Sequence, residues 1–269
     1  MNKIEIAVLE THGDPGQWAA FLARLTQRGH KIKNMADLIE LFNQSHTPGF
    51  LQAISQLPHG TIKRFTPITV AIVGASRRFL AQARTSQVGT NFVSASLQYS
   101  DYSGEADFVV PYALIEKDHN EPGLFKDYYK NLYLDSCKES MDAYSLIADA
   151  TDNDTAGYAA PQGLRNILIM QANHQSWNYF IKMRSCNRNT TETQYVTMRI
   201  WEELLKTPDG QEFFGFAGPD CMHGRCQEGK MTCGSPMRKY YKRSQDFCIP
   251  VPRLIINEKW PLLSEEDTV

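Results

Sequence analysis

Between Thr85 and Ser103 the chain crowds Thr85, Ser86, Gln87, Thr90, Asn91, Ser94, Ser96, Gln98, Ser100 and Ser103 among apolar residues, with no lysine. Short hydroxyl and amide side chains donate and accept in fixed geometry, so the stretch suits the heteroatoms of a base, a flavin or a phosphate. A polar turn ahead of an edge strand has the same composition. A second group with chemical potential stands near the C-terminus, where Cys221, Cys226 and Cys233 follow a C-x4-C-x6-C spacing with His223 and Lys230 among them. Three thiolates completed by His223, Cys248 or Cys186 can hold zinc tetrahedrally, although the spacing is not that of a zinc ribbon. Small buried residues ordering a loop-rich tail are the competing account. Arg238, Lys239, Lys242 and Arg243 beside Tyr240 and Tyr241 add a local basic-aromatic patch.

The polar stretch needs a scaffold, and the flanking patterns supply one. Ile68, Val70 and Ile72 alternate as a strand over Thr66 to Val73, then Gly74-Ala75-Ser76 leads into a helix predicted from Arg77 to Gln87. Upstream, Lys3 to Leu9 reads as a strand, and Trp18 to Arg28, Met35 to Gln44 and Phe50 to Leu57 as helices. Downstream, Glu105 to Ala113 reads as a strand, and a long helix opens at Pro122-Gly123 and runs to about Ala150. Its apolar side is Leu124, Tyr128, Leu132, Met141, Tyr144 and Ile147. A short capped helix then stops at Pro161, Ile167 to Gln171 forms a strand, and two helices follow, from Asn173 and from Asn189-Thr190-Thr191-Glu192.

With 269 residues, 42% of them hydrophobic, the chain can bury a sizeable core, and no low-complexity linker divides it. A formal net charge of −2 gives no basic field for nucleic acid. MNKIEIAVLE lacks the apolar core of a signal peptide, and no run reaches the roughly 18 apolar residues of a membrane span, so a soluble cytoplasmic protein is expected. Six scattered cysteines fit reduced thiols or a metal site better than a disulfide scaffold.

Ser76-Arg77, Gln82, Ser96 and Tyr99 fall where the flavin-dependent thymidylate synthases carry Ser-Arg, Gln, Ser and Tyr, and the stretch resembles the signature region of that family. His59-x-Thr61 resembles its Gly-His-x-Ser/Thr motif, Asn173 to Arg184 its helix ending in Leu-Arg, and Thr193-Gln194-Tyr195 its Ala-Gln-Trp. The likeness spans about residues 50 to 235, and Gly-Pro-x-Cys tails like Gly218 to Cys221 occur in some members. The chain also departs from the pattern. Thr85-Ser86-Gln87 replaces Arg-His-Arg, with Arg84 one place early and a one-residue insertion before Ser96. Ser94 replaces Glu, Gln98 replaces Arg, and Gly157 stands where an Arg contacts the nucleotide phosphate.

The resemblance implies an α+β fold with a central sheet flanked by helices, a catalytic domain over 1–215 and a cysteine-containing extension over 216–269. It implies FAD as cofactor, NADPH and methylenetetrahydrofolate as co-substrates, and transfer of a one-carbon group to C5 of dUMP or a related pyrimidine nucleotide. A homotetramer with sites shared between subunits is implied as well. On this basis Gln82, Ser94, Ser96, Gln98 and Arg184 face the nucleotide, with Arg165 a substitute for the missing phosphate arginine. His59, Thr61, Thr85, Ser86, Gln87, Asn173 and Arg188 face FAD. Arg184, the surviving family arginine, is expected to matter far more than Arg77 or Arg84, which are placed on the solvated side of their helix. The loss of charged positions keeps a second function class open, a non-catalytic nucleotide- or flavin-binding paralogue with a structural or regulatory role.

Overall fold

A computed structural model of the chain describes residues 4–104, 106–114, 127–224 and 226–234. The start of the long helix, the basic-aromatic patch and Cys248 lie outside the described residues. Four strands, β1 (Glu5–Thr11), β2 (Pro67–Ser76), β3 (Thr90–Ser94) and β4 (Arg165–Asn173), form one antiparallel sheet in the order β1-β2-β4-β3. Alternation decides its two faces. Val8 pairs with Val70, Val70 with Met170 and Met170 with Phe92, so one apolar row crosses all four strands. Ile68, Val70, Ile72, Leu168 and Met170 on that side are fully buried. The opposite side carries Val73, Ile167 and Val93 at 40%, 45% and 68% exposure, and no described helix covers it.

Nine helices appear among the described residues: α1 (Pro15–Arg28), α2 (Met35–Phe42), α3 (Pro48–Ser55), α4 (Arg77–Ala83), α5 (Tyr128–Ala150), α6 (Asn153–Ala156), α7 (His174–Arg184), α8 (Thr191–Leu205) and α9 (Gly210–Phe214). Seven begin with a side-chain cap: Asp14, Asn34, Thr47, Ser76, Asp152, Asn173 and Thr190 each accept a backbone N–H of their own first turn. The main core joins the inner sheet face to α1, α3, α4, α7 and α8 through Phe79, Trp177, Phe180, Val196 and Trp201. A second cluster holds α5 by Cys137, Met141 and Tyr144 against Leu97, Phe108 and Leu164.

Three expectations are corrected. α4 ends at Ala83 rather than Gln87, because the Thr85 hydroxyl donates to the Gln82 carbonyl at 2.9 Å, one of the local bonds with which Ser and Thr compete against a helix. The predicted strand over Glu105 to Ala113 is, in its described part, a single bridge between Phe108 and Leu164. On α5, Tyr128 and Leu132 are about half exposed, so only part of the apolar side is core.

Candidate functional site

The junction of β2 and α4 positions the site. Once Ser76 caps α4, two of the helix's free N–H groups still need acceptors. Arg77 N donates to Leu164 O and Arg78 N to Gln162 O, each at 3.0 Å, which draws the segment before β4 against the helix start. Glu192, at the start of α8, locks the same corner: its carboxylate accepts from Ser76 N at 2.7 Å and from Ser76 Oγ at 2.5 Å. Burial holds the Glu192 carboxyl above its usual range, while the Ser76 bonds and the nearby Arg165 and Arg78 oppose that shift.

Beside this junction lies a cavity of about 360 Å³ lined by Arg77, Arg84, Ser94, Ser96, Gln162 and Asn166, with Leu80, Ala81, Ala95 and Leu97 as apolar walls. Ser94 faces it because it pairs with Leu168 and so shares the inward face of β3 with Phe92. Arg84 donates from Nη2 to Ser94 Oγ. Asn166 donates to the Ala95 carbonyl at 3.2 Å, and its carboxamide oxygen accepts from Ile167 N at 2.7 Å. The cavity is cationic: burial lowers the pKa of Arg77, the Tyr102 hydroxyl partly offsets that, and the like charge of Arg84 lowers it further. The buried Nε of Arg77 has no hydrogen-bond partner. A half-buried and an exposed guanidinium on one cavity without a carboxylate make a place for an anion. The expectation that Arg77 is solvated is therefore corrected, while Arg84 is exposed as expected and also lines the cavity.

The other expected nucleotide residues disperse. The Gln82 carboxamide oxygen accepts from the hydroxyls of Thr190 and Thr193 at the start of α8. Gln98 is exposed, and its N–H bonds Ser96 Oγ at 3.1 Å. Arg165 is committed elsewhere, donating to the Gly74 carbonyl at 2.7 Å and pairing with Asp107 at 3.0 Å. Unbroken alternation along β4 sets this parity: Asn166 turns inward with Leu168 and Met170, and Arg165 turns to the other side. Sequence reasoning missed Gln162 and Asn166 as well. The one signal for them was the Pro161-Gln162-Gly163 break just before a strand.

Arg184 reaches a neighbouring region. Its Nη2 donates to Thr85 Oγ1 and its Nη1 to Asn189 Oδ1 at 3.3 Å, while burial lowers its pKa and leaves Nε unpartnered. Three of the expected flavin segments converge on the first turn of α7. The turn after α4 lies on it through Ser176 Oγ, which donates to Val88 O at 2.8 Å, and Asn173 caps the helix by accepting from Ser176 N at 2.9 Å. Gly60, between His59 and Thr61, packs so closely on Gln175 that a side chain there would collide. Gln87, His59 and Thr61 remain exposed around this helix start, Thr85 is exposed where it meets Arg184, Ser86 is buried, and Arg188 is exposed beyond the far end of α7.

Gly89 makes this packing possible. Its φ is +70°, and a Cβ would stand 2.5 Å from Ser176 Oγ and 3.0 Å from Asn173 Nδ2. We expect Gly89→Ala to cost about 1–2 kcal/mol from the left-handed backbone alone and, by lifting the turn off α7, to weaken FAD binding at least tenfold. Flavin fluorescence titration beside a far-ultraviolet circular dichroism spectrum checks it; unchanged affinity would show that the turn does not touch the cofactor.

Comparison with known proteins places this geometry. The family model "Thymidylate synthase complementing protein" matches residues 7–207. Among curated relatives, the flavin-dependent thymidylate synthase of Geobacter sulfurreducens is 26% identical over 86% of this chain and 94% of its own. That of Clostridium tetani is 22% identical over 88% and 97%. Among solved structures, the UMP/dUMP methylase PolB of Streptomyces cacaoi, bound with 5-Br dUMP, superposes with TM-score 0.63 at 12% identity, covering 80% of this chain and 97% of that one. ThyX of Helicobacter pylori, with FAD and dUMP, gives 0.55 at 15% identity over 78% and 97%. At such identities the structural likeness establishes the fold.

Proposed function

Because the chain belongs to the thymidylate synthase complementing proteins, the family of the flavin-dependent thymidylate synthases, we propose that it is a flavin-dependent enzyme that transfers a one-carbon group to C5 of dUMP or a closely related pyrimidine nucleotide. The observation that carries this reading is the cavity holding Arg77 and Arg84 opposite Ser94, Ser96, Gln162 and Asn166. Two guanidinium groups suit a phosphate, and the serine and amide groups suit the carbonyl and N–H edge of a pyrimidine.

The residues around the start of α7 fit FAD. Gln87, His59 and Thr61 offer exposed polar groups near a helix N-terminus, while Thr85 and Arg184, which has an unused buried Nε, meet toward the other end of α7. Those residues and Asn173 would hold it, and the contact of Arg184 with Thr85 ties the cofactor region to the α4 turn beside the nucleotide cavity. The chemistry that bound FAD supplies is hydride transfer. The chain itself binds, orients and excludes water; no cysteine lines the cavity, so positioning and electrostatics carry the protein's share.

Methylenetetrahydrofolate as donor and NADPH as reductant complete the proposal on the strength of family membership, as does a cytoplasmic location. No helix among the described residues is long and apolar enough to cross a membrane. A homotetramer with shared sites is supported by the uncovered sheet face and by Val88, Tyr99 and Tyr158, at 88%, 83% and 92% exposure around the site. The test is direct: purified protein should show flavin bands, run as a tetramer, and form dTMP from dUMP when both co-substrates are added. A colourless monomer that takes up no FAD would falsify the enzyme reading.

A further inference from the structure

The end of α7 and the described part of the C-terminal tail meet around a cavity of about 50 Å³ whose walls include Cys186, Cys221 and Cys226. Cys186 lies two residues beyond Arg184, in the turn between α7 and α8, and Cys221 is buried against Met198 and Met222 of a small separate cluster. The tail is drawn to this spot by an ion pair of 2.7 Å between Lys182 Nζ and Asp220 Oδ1. Three sulfurs, one from the turn between α7 and α8 and two from the tail, thus share one corner. Cys233 follows Cys226 by seven residues on the same tail.

We propose that Cys186, Cys221, Cys226 and Cys233 form a structural zinc site that staples the C-terminal tail to the turn following Arg184. The ligand set is soft and complete, which favours zinc over the oxygen-seeking metals. Of the alternatives for a fourth ligand, His223 is turned away, its Nε2 lying 3.3 Å from the Ala217 carbonyl, whereas Cys186 faces the cavity. The sulfurs of Cys186, Cys221 and Cys226 line the cavity rather than converge on one point: among the described residues no three cysteines lie within 4.8 Å of one another. Closing a sphere with zinc–sulfur distances of about 2.3 Å therefore requires Cys226 and Cys233 to move inward. Both are exposed, on a stretch turned by Gly224, Gly229 and Gly234 at positive φ, where an added Cβ would meet nothing within 4 Å.

The proposal is tested on the full chain, purified without chelator. Elemental analysis should give about one zinc per chain. Cys226 and Cys233 should resist a thiol-reactive disulfide reagent until a chelator is added, a measurement that needs no variant. Cobalt(II) in place of zinc should produce tetrahedral thiolate bands at wavelengths beyond the flavin absorption; these should weaken in Cys186→Ser and persist in Cys137→Ala, whose sulfur lies in the α5 cluster. Protein that holds no zinc and takes up no cobalt overturns the proposal, as do immediate reaction of the exposed thiols, a disulfide in the unreduced mass, or cobalt bands indifferent to Cys186→Ser.

Discussion

Arg77→Ala should weaken dUMP binding by about 1.5–3 kcal/mol, one to two decades, the range for losing a charge-assisted hydrogen bond in a part-buried setting, and Arg84→Ala should act in the same direction. Arg77 is the stronger case because its Nε is buried and unsatisfied in the free chain, whereas Arg84 is exposed and already engaged with Ser94. Uridine, lacking the phosphate, should lose far less than dUMP in either variant. Arg184→Ala should act first on flavin affinity, since its guanidinium grips Thr85 rather than the cavity wall. Calorimetric titration of dUMP, UMP and uridine into the three variants separates the roles. If Arg184→Ala abolishes nucleotide binding while Arg77→Ala binds like the parent, the cavity between α4 and β3 is not the nucleotide site.

The second large effect is on stability at low pH. His174, at the start of α7, is almost fully buried, with its ring stacked on Phe214 at 5.3 Å and Nδ1 3.0 Å from the Thr66 carbonyl. Burial lowers its pKa from 6.5 to about 4, against the opposing bond to Thr66. The unfolded chain then takes up a proton at His174 before the folded chain does. Its contribution is therefore fully present above about pH 6.5 and is lost as pH falls toward about 4; at about 1.4 kcal/mol per pH unit, the loss is about 3 kcal/mol. Urea unfolding of the parent should show about 2 kcal/mol of this fall between pH 7 and pH 5, before most carboxylates titrate. His174→Gln should be less stable at pH 7 yet show a flatter dependence over the same interval. Equal slopes for parent and variant would assign the acid sensitivity to other groups.

Much of the scaffold was legible because it rests on local rules. The alternation of Ile68, Val70 and Ile72 announced β2, and Ser76, Asn173 and Thr190 announced the helices they cap. Ser94 and Ser96, named for their positions in the family pattern, both line the cavity. What was not legible depends on distant segments meeting. Whether Arg77 and Arg84 face water or a cavity is decided by β3 and by the segment from Gln162 to Asn166, neither of which is near them in sequence. Arg165 was chosen for its charge, but the alternation of β4 turns Asn166 inward with Leu168, and the Arg165 guanidinium is spent on Gly74 and Asp107. Gln82 sits at its family position yet spends its oxygen on two threonines that only the fold brings close.

The place of Ser94 on an edge strand sets which changes in length the chain tolerates. A residue gained or lost between Thr85 and Gly89 alters the reach of a surface turn. The same change inside Thr90–Ser94 exchanges the two faces of β3, turning Val93 into the cavity and Ser94 out to the uncovered side. Insertions and deletions among homologues should accordingly gather in the turn and spare the strand, even where substitutions are frequent in both. Length, more than residue identity, is what inheritance must conserve there.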